Sequence, residues 1–514
     1  MTDPAPHSDL PSFLENRPRT LLVVLVVMFA VAAGVRLMRL DAPGVLVDRD
    51  YTSAMLARAY YLEGRSDVPQ WRREMASELA ARQPILEPPV TEWMASILYR
   101  IAGREDMRLG RILAIGFWLV GGVFLFQLAR RLVGTDAAVL ALGYYLFLPL
   151  AVLLSRSFQA DALMMTLFVA SLLAIVRHHE APSGARLVIA GIASGLTLLY
   201  RPLVMPALVL AWVVPEIQRA GWRGGLWNRS TVTFVVAATV PAFAYYGYGV
   251  FIARYFQWKL TTSFMFSLYA HREYWQGWLE LAVWELGLPA LLLASVGVAF
   301  VRRGLSRSVL VGLALGYLCF GLAFTFHIHT HGYYQAQLIP AVAIAASAVT
   351  AYLIRWIARA PERWLRVTPV AAAMLLGAAW WLEIRQKLAP AQFESPRLAA
   401  EIGSRVGHSE RVVFLSRYYG LPLQYLGEFT GAYWPRSLGY WLYRGKGEVE
   451  RSVAERLAAL GFEPEYFVIT DFREYETHHA DLRAFLEARC SPVAITDTYR
   501  IYGECDVSGA TDGR

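Results

Sequence analysis

Asp48, Arg49 and Asp50 stand side by side just beyond the first long apolar run of this chain, at the head of the stretch DRDYTSAMLARAYY. Ionised groups are costly beside hydrocarbon, so a cluster of them at the end of an apolar run either pairs or does chemistry. Three other clusters share that setting. SRSFQADALMM carries Arg156 and Asp161, Arg201 precedes Pro202, and HIHTHGYYQ carries His331, Tyr333 and Tyr334. A carboxylate beside a hydroxyl can serve as a general base. Arginine, histidine and tyrosine donors can stabilise a departing anion, and the guanidinium fork suits a pair of phosphate oxygens. Each cluster also has a plainer reading, as snorkelling side chains at span ends or, for Asp161, as the cap of a helix beginning at Ala162.

The elements that must position these residues are set by composition. Hydrophobic residues make up 56% of the 514 and charged residues only 18%, with a mean hydropathy of +0.37. A soluble enzyme needs a more polar surface, so most of this chain is expected inside a bilayer. The net charge of +8 comes almost wholly from arginine, with lysine only at Lys259, Lys387 and Lys446. Apolar spans leave little room for a basic soluble face, which argues against nucleic acid as a partner. Three cysteines exclude a dense disulfide scaffold, and Cys319, within an apolar run, is expected to pack.

A hydrocarbon core of about 30 Å takes roughly 20 apolar residues per helix. Eleven runs qualify, near residues 20–38, 110–128, 136–154, 160–176, 187–200, 203–217, 231–252, 279–300, 308–326, 335–354 and 367–383. The first is long enough to span, and Arg36 and Arg39 follow it where a cleavage site would need small residues, so it reads as an anchor. If the runs alternate, the arginine-rich short loops (Arg130, Arg131, Arg177, Arg186, Arg219, Arg223, Arg302, Arg303) all fall on one side. The positive-inside rule makes that side cytoplasmic and puts the four clusters outside.

Two external segments interrupt the short loops. Residues 39–109 read as amphipathic helices over 51–63 and 71–82, an Arg-Gln-Pro turn, and EPPVTEWMASILYRIAG from Glu87. Met55, Leu56, Ala59 and Tyr60 recur at helical spacing, which suits a helix lying on the membrane interface. From residue 384 the apolar runs shrink to strand length in RVVFLS, YFVIT and PVAIT, alternating with SPRLAAEIGSRV, SVAERLAALGF and HADLRAFLEARC. This is a small α/β module. The fold class expected is therefore an all-α polytopic membrane domain over 1–383, with a C-terminal extracytoplasmic α/β domain over 384–514. The last segment, PVAITDTYRIYGEC, reads as a hairpin with Cys490 and Cys505 at its ends, placed to bridge in an oxidising compartment.

The order of these motifs resembles the membrane glycosyltransferases of the GT-C class, which include protein O-mannosyltransferases and lipid A aminoarabinose transferases. The resemblance covers roughly residues 20–385. It rests on the acidic residues after span one with the ARAYY helix, the E-P-P helix start at Glu87, the R-x-x-x-x-D-x-L-M element from Arg156, and the H-G-Y-Y element at His331 followed by Pro340. Arg201-Pro202 is similar to a Lys-Pro or Arg-Pro element of that class. Where many members have Asp-Glu after span one, this chain has Asp-Arg-Asp.

The resemblance implies an inverting transfer of a hexosyl or pentosyl group from a polyprenyl-phosphate sugar to a glycan, lipid or protein acceptor, on the external face of a bacterial inner membrane. Such a reaction needs a base at the acceptor hydroxyl and charge stabilisation at the phosphate, with no general acid. Asp50 is the favoured base, on the view that it begins the helix and accepts backbone N–H bonds, and Asp48 is its near rival. Arg201, Arg156, His331, Tyr333 and Tyr334 are candidates for the donor phosphate, and Arg49, Glu87, Asp161 and Lys259 for the cleft. No cofactor is required. A divalent cation on the carboxylates and zinc on the HIHTH run are the metal alternatives. Aromatic residues of the loop 255–278 could flank a prenyl chain. A transporter or lipid flippase is the alternative of another class, although no internal repeat supports it, and a polytopic scaffold would leave the motifs unexplained.

Overall fold

The computed structural model describes residues 12–41, 46–84, 87–254, 263–388, 393–437 and 452–506. The chain forms two compact units, one of Met1–Val45, Ile85–Thr91 and Arg111–Ala389, the other of Leu46–Pro84, Glu92–Gly110 and Pro390–Arg514. Most of the segment 39–109 groups with the tail.

The first unit is helical, and this is a multi-pass membrane protein. Among the described residues, eight helices are long and apolar enough to cross a membrane, or up to ten if each of two bent pairs is one span. The expected eleven included 187–200, whose helix Gly184–Tyr200 is shorter than the other spans. The bends have local causes. Thr135–Phe147 meets Pro149–Ser155 at 59°, where Leu148 leaves the helical region ahead of a proline. Arg272–Leu286 meets Leu288–Phe300 at 94°, because Gly287 takes φ 84° between them. The run read as one span over 279–300 is therefore broken near its start.

The outer faces are apolar. Leu22, Val26, Val31, Val367, Val370 and Leu375 all project outward, as a lipid-facing surface requires. Cys319 is exposed as well, on the same side as Leu315, Leu318 and Leu322, so it does not pack inside. Between helices, small residues permit close approach. A Cβ on Gly316 would overlap the backbone of Ala207, and one on Gly312 the backbone of Leu210, which seats Leu305–Ala323 directly on Met205–Leu226.

The second unit is built on a five-stranded sheet of order β2-β1-β3-β5-β4, with β1 Val412–Leu415, β2 Gly431–Tyr433, β3 Tyr466–Ile469, β4 Ser491–Ile495 and β5 Arg500–Gly503. β1 lies parallel to β2 and β3, and β5 runs antiparallel to β3 and β4. Successive residues of β1 face opposite layers. Val413 and Leu415 join Phe467, Ile469, Tyr475 and Leu486, while Val412 and Phe414 join Ile402, Leu423, Phe429 and Val468. Burial on both faces explains why β1 and β3 read as unbroken apolar runs. β4 is an exposed edge carrying Pro492, the position where a missing N–H costs no ladder bond. The β4–β5 hairpin is closed by the Cys490–Cys505 disulfide, as the sequence led us to expect.

Three helices from the 39–109 segment contribute to this unit: Val47–Leu62, Gln70–Ala81 and, from Glu92 onward, Val90–Ala102. The first is buried almost all round, with Ala54, Met55 and Ala57 inaccessible and Leu56 nearly so. It is a core helix of the second unit, which corrects the expectation of a helix lying on the membrane interface. Its Arg58 ties the unit together. The guanidinium sits 3.6 Å from the centre of the Tyr425 ring, donates from Nε to Glu105 Oε1 at 2.8 Å, and donates from Nη1 to the Tyr425 carbonyl at 2.6 Å. Burial pushes the Tyr425 phenol well above its ordinary pKa, so it stays protonated and donates to Glu105. Arg72 completes the network by donating to Glu428 at 2.6 Å.

Candidate active site

In the first unit, Arg201 is the buried centre of a polar cluster. It caps the C-terminal end of Gly184–Tyr200 in extended backbone, because Pro202 bars the residue before it from continuing the helix. Its Nη1 pairs with Asp161 Oδ1, and both side chains are nearly inaccessible. Burial works against the Arg201 charge, yet Asp161, Glu87, Tyr334 and Tyr333 outweigh it and hold the guanidinium above its ordinary pKa. Asp161 is the first residue of Asp161–Glu180, with Ala160 at the N-cap position, and its Oδ1 is engaged by Arg201 on another helix. The Glu87 segment is pinned to the same place by Thr91 and Tyr200, whose hydroxyls share a hydrogen bond of 2.5 Å.

Tyr333 and Tyr334 approach through a 3₁₀ turn over Gly332–Leu338. Gly332 leaves room for the Glu285 carboxylate, which a Cβ at this position would have to displace. Gln335 fixes the turn by donating from Nε2 to the Ile328 carbonyl at 3.0 Å and accepting from Tyr317 Oη. Tyr317 in turn accepts from Trp278 Nε1 at 2.7 Å, so the aromatic loop contributes Tyr274 and Trp278 as backing for the tyrosines. The tyrosine rings lie 4.5 Å apart, and the His331 ring is 5.5 Å from that of Tyr333.

His327 and His329 lie in a short helix, Thr325–Thr330, where alternate positions do not share a face, and His331 is its extended C-cap. Their bonds diverge: His327 Nε2 to Ser263 Oγ at 3.0 Å, His329 Nδ1 to the Thr325 carbonyl at 2.7 Å, and His331 Nδ1 to Thr330 Oγ1 at 2.7 Å. Burial lowers the His329 pKa, so that ring is neutral at pH 7. Among the described residues, no three His, Cys, Asp or Glu side chains gather as a metal site.

Arg156 is buried at the end of Pro149–Ser155 and donates from Nη2 to the Arg39 carbonyl at 2.7 Å. Beside it, Arg36 donates from Nε to Ser155 Oγ at 2.6 Å. Arg36 entered the sequence reading only as evidence against a cleavage site, and its burial inside the unit was not foreseen. Lys259 lies outside the described residues.

The second unit holds the remaining candidates. Helix Val47–Leu62 starts four residues before the expected Tyr51, which places Asp48 and Asp50 inside its first turn. Leu46 is the N-cap, and its apolar side chain makes no capping bond. Asp50 therefore does not begin the helix as expected, although its charge still sits at the positive end of the helix dipole. Asp50 is inaccessible, whereas Asp48 and Arg49 are half-buried. One turn on, Ser53 donates to Glu92 Oε1 at 2.6 Å, which buries a carboxylate in the first turn of Val90–Ala102. Glu92 was not singled out from the sequence. Its place five residues after Glu87 in EPPVTE was the available signal.

Residues 86–242 match the family model described as dolichyl-phosphate-mannose-protein mannosyltransferase. Among solved structures, the chain is similar to ArnT from Cupriavidus metallidurans bound to undecaprenyl phosphate, at 16% identity and a TM-score of 0.57, over 93% of this chain and 98% of that one. The chain has the GT-C fold. The apo form of the same ArnT shows the GT-C likeness over 96% of this chain and 100% of its own, at 15% identity and a TM-score of 0.57. The archaeal oligosaccharyltransferase AglB from Archaeoglobus fulgidus, in complex with an inhibitory peptide and a dolichol-phosphate, shares the GT-C fold at 12% identity and a TM-score of 0.54, over 89% of this chain and 70% of that one. No curated protein sequence matches.

Proposed function

We propose that this protein is an inverting glycosyltransferase that takes a hexose or pentose from a polyprenyl-phosphate carrier and passes it to a glycan, lipid or protein acceptor. The observation that carries the reading is the gathering of Glu87, Tyr333 and Tyr334 around the buried Arg201–Asp161 pair, within a fold shared with transferases whose solved structures hold lipid phosphates.

Asp50 takes the proton of the acceptor hydroxyl, whose oxygen attacks the anomeric carbon. The bond from that carbon to the phosphate oxygen breaks, and the electron pair leaves with the polyprenyl phosphate. Attack opposite the leaving group inverts the anomeric centre. Arg201 balances the charge on the phosphate, with Tyr333, Tyr334, His331 and Arg156 as further donors. Asp161 keeps Arg201 charged and oriented, Glu87 and Arg49 line the cleft, and Asp48 orients the acceptor. Burial favours Asp50 over Asp48 as base, since a dry carboxylate has no competing water. The chemistry needs no metal ion, and activity in excess EDTA tests that statement. The arginine-rich loops face the cytoplasm of a bacterial inner membrane, and the tail lies outside.

The test is transfer in isolated membranes from a radiolabelled polyprenyl-phosphate sugar. Asp50→Asn should lower turnover by about 10²- to 10⁴-fold, the usual contribution of a general base. Full activity in both Asp50→Asn and Asp48→Asn sinks the proposed base. Solute movement without consumption of the lipid-linked sugar points to a transporter instead.

A further inference from the structure

Helices Asp161–Glu180 and Gly184–Tyr200 carry Asp161 and Arg201 at one end, and at the other they carry a second feature that the transfer reaction does not use. A helix of this length spans about 30 Å, so the far end lies a hydrocarbon thickness away. There a cleft of about 510 Å³ opens between these two helices and Met107–Val133. Its charged lining is Arg131, Arg177, Glu180 and Arg186.

The charges do not cancel. Arg131 pairs with Glu180 at 2.5 Å, which neutralises one arginine. Arg177 donates to Gln127 at 2.9 Å, and Arg186 donates to the Ala181 carbonyl at 2.8 Å, both neutral partners. Among the described residues neither guanidinium has a carboxylate partner, and the cleft is left with two positive charges.

The remaining wall is apolar and made of helix-face neighbours. Ala170 and Ala174 lie one turn apart with Arg177 at the next step, and Ile189 and Ala193 repeat the spacing beside Arg186. Alanines at these positions make the room, and Ile189 opens the wall to the lipid-facing surface. A water-soluble anion would gain nothing from that wall. A phospholipid would place its phosphate between the arginines and the start of an acyl chain along the alanines.

We infer that this cleft binds the headgroup of an anionic glycerophospholipid, with its phosphate on Arg177 and Arg186. The net charge selects against zwitterionic lipids, and basic pockets between spans are a recognised setting for anionic headgroups. The volume suits a headgroup with the first part of one chain.

Native mass spectrometry of the full-length protein in detergent, titrated with phosphatidylglycerol or phosphatidylcholine of the same chains, tests this. The wild type should hold phosphatidylglycerol roughly 30-fold more tightly, the equivalent of about 2 kcal/mol for two arginines near a lipid phosphate. Arg177→Gln with Arg186→Gln should remove most of that preference, while Arg302→Gln with Arg303→Gln, in another basic loop, should keep it. Equal binding of the two lipids overturns the inference. So does equal loss in both double variants, which marks general surface charge. Displacement of the bound lipid by millimolar inorganic phosphate would show a free-anion site and also overturn it.

Discussion

Arg201 and Asp161 form an ion pair that the surrounding protein has removed from water, and this makes each sensitive to loss of the other. Removing one partner of a buried pair strands the other charge, at a cost of about 3–5 kcal/mol. Arg201→Ala and Asp161→Ala should therefore each lower the thermal stability of the purified protein, and the double variant should fall well short of the sum. Additive losses in a double-mutant cycle would show that the two act separately. Arg201→Lys should keep the stability better than the activity, because a lysine supplies the charge without the fork. Each residue was legible in the sequence as an ion at a span end. Their pairing was not, since 40 residues separate them and only the packing of two spans brings them together. Asp161 was equally readable as a helix cap, and no local pattern decides between a cap and a partner on another helix.

At the scale of elements, helix Val47–Leu62 shows what periodicity hides. Met55, Leu56, Ala59 and Tyr60 announced a helix, but a stripe of that kind does not say whether lipid or protein covers it. The polar residues decided the matter: Ser53 and Arg58 are bonded within the unit, so the helix can be buried on its polar face too. Arg58→Ala should cost the second unit about 1.5–3 kcal/mol by removing the charge-assisted hydrogen bonds from Arg58 to Glu105 and to the Tyr425 carbonyl. Hydrogen exchange in helix Val47–Leu62 and in residues 421–427 would report that loss. Strand β2 went unseen because Gly431–Tyr433 has three residues and no apolar run, whereas β1, β3 and the hairpin were plain.

The tail also carries a pH response. Burial raises Glu474, but the Ser437 amide and hydroxyl, Arg436 and His479 outweigh it and hold its pKa below the ordinary value. Burial lowers His479 despite Glu474 beside it. Both groups bind protons less readily folded than unfolded, so the stability they contribute is complete above the ordinary imidazole value and falls as the pH drops through the imidazole and then the carboxylate range. Exchange protection over 466–489, corrected for intrinsic rate, should decline from pH 7 to pH 4. Constant protection would exclude these two groups as the cause.

For the whole molecule, the Cys490–Cys505 bridge is a reporter of compartment. Three cysteines should give one reactive thiol, that of Cys319, when the unreduced protein is titrated in detergent. Two or three would place the tail in a reducing space and reverse the proposed orientation. Cys490→Ser with Cys505→Ser should cost the tail about 3 kcal/mol, the loop-closure value for a bridge across 15 residues. The run of apolar segments gave the membrane domain directly, because hydrocarbon thickness dictates span length. The grouping of 46–84 and 92–110 with 390–514 had no local signature, since it depends on contacts across nearly the full chain.

That discontinuity sets a timetable for biogenesis. Helix Val47–Leu62 is made early, yet Tyr425 and Glu428, the partners of its Arg58, come more than 360 residues later. At roughly 5–20 residues per second, the helix bearing Asp48 and Asp50 waits on the order of 20–70 seconds for its core to exist. During that interval the nascent chain has its spans but not the partners of Arg58 that help bury this helix. A chain stopped at residue 389 should insert normally, yet present residues 47–62 to protease as an unfolded segment.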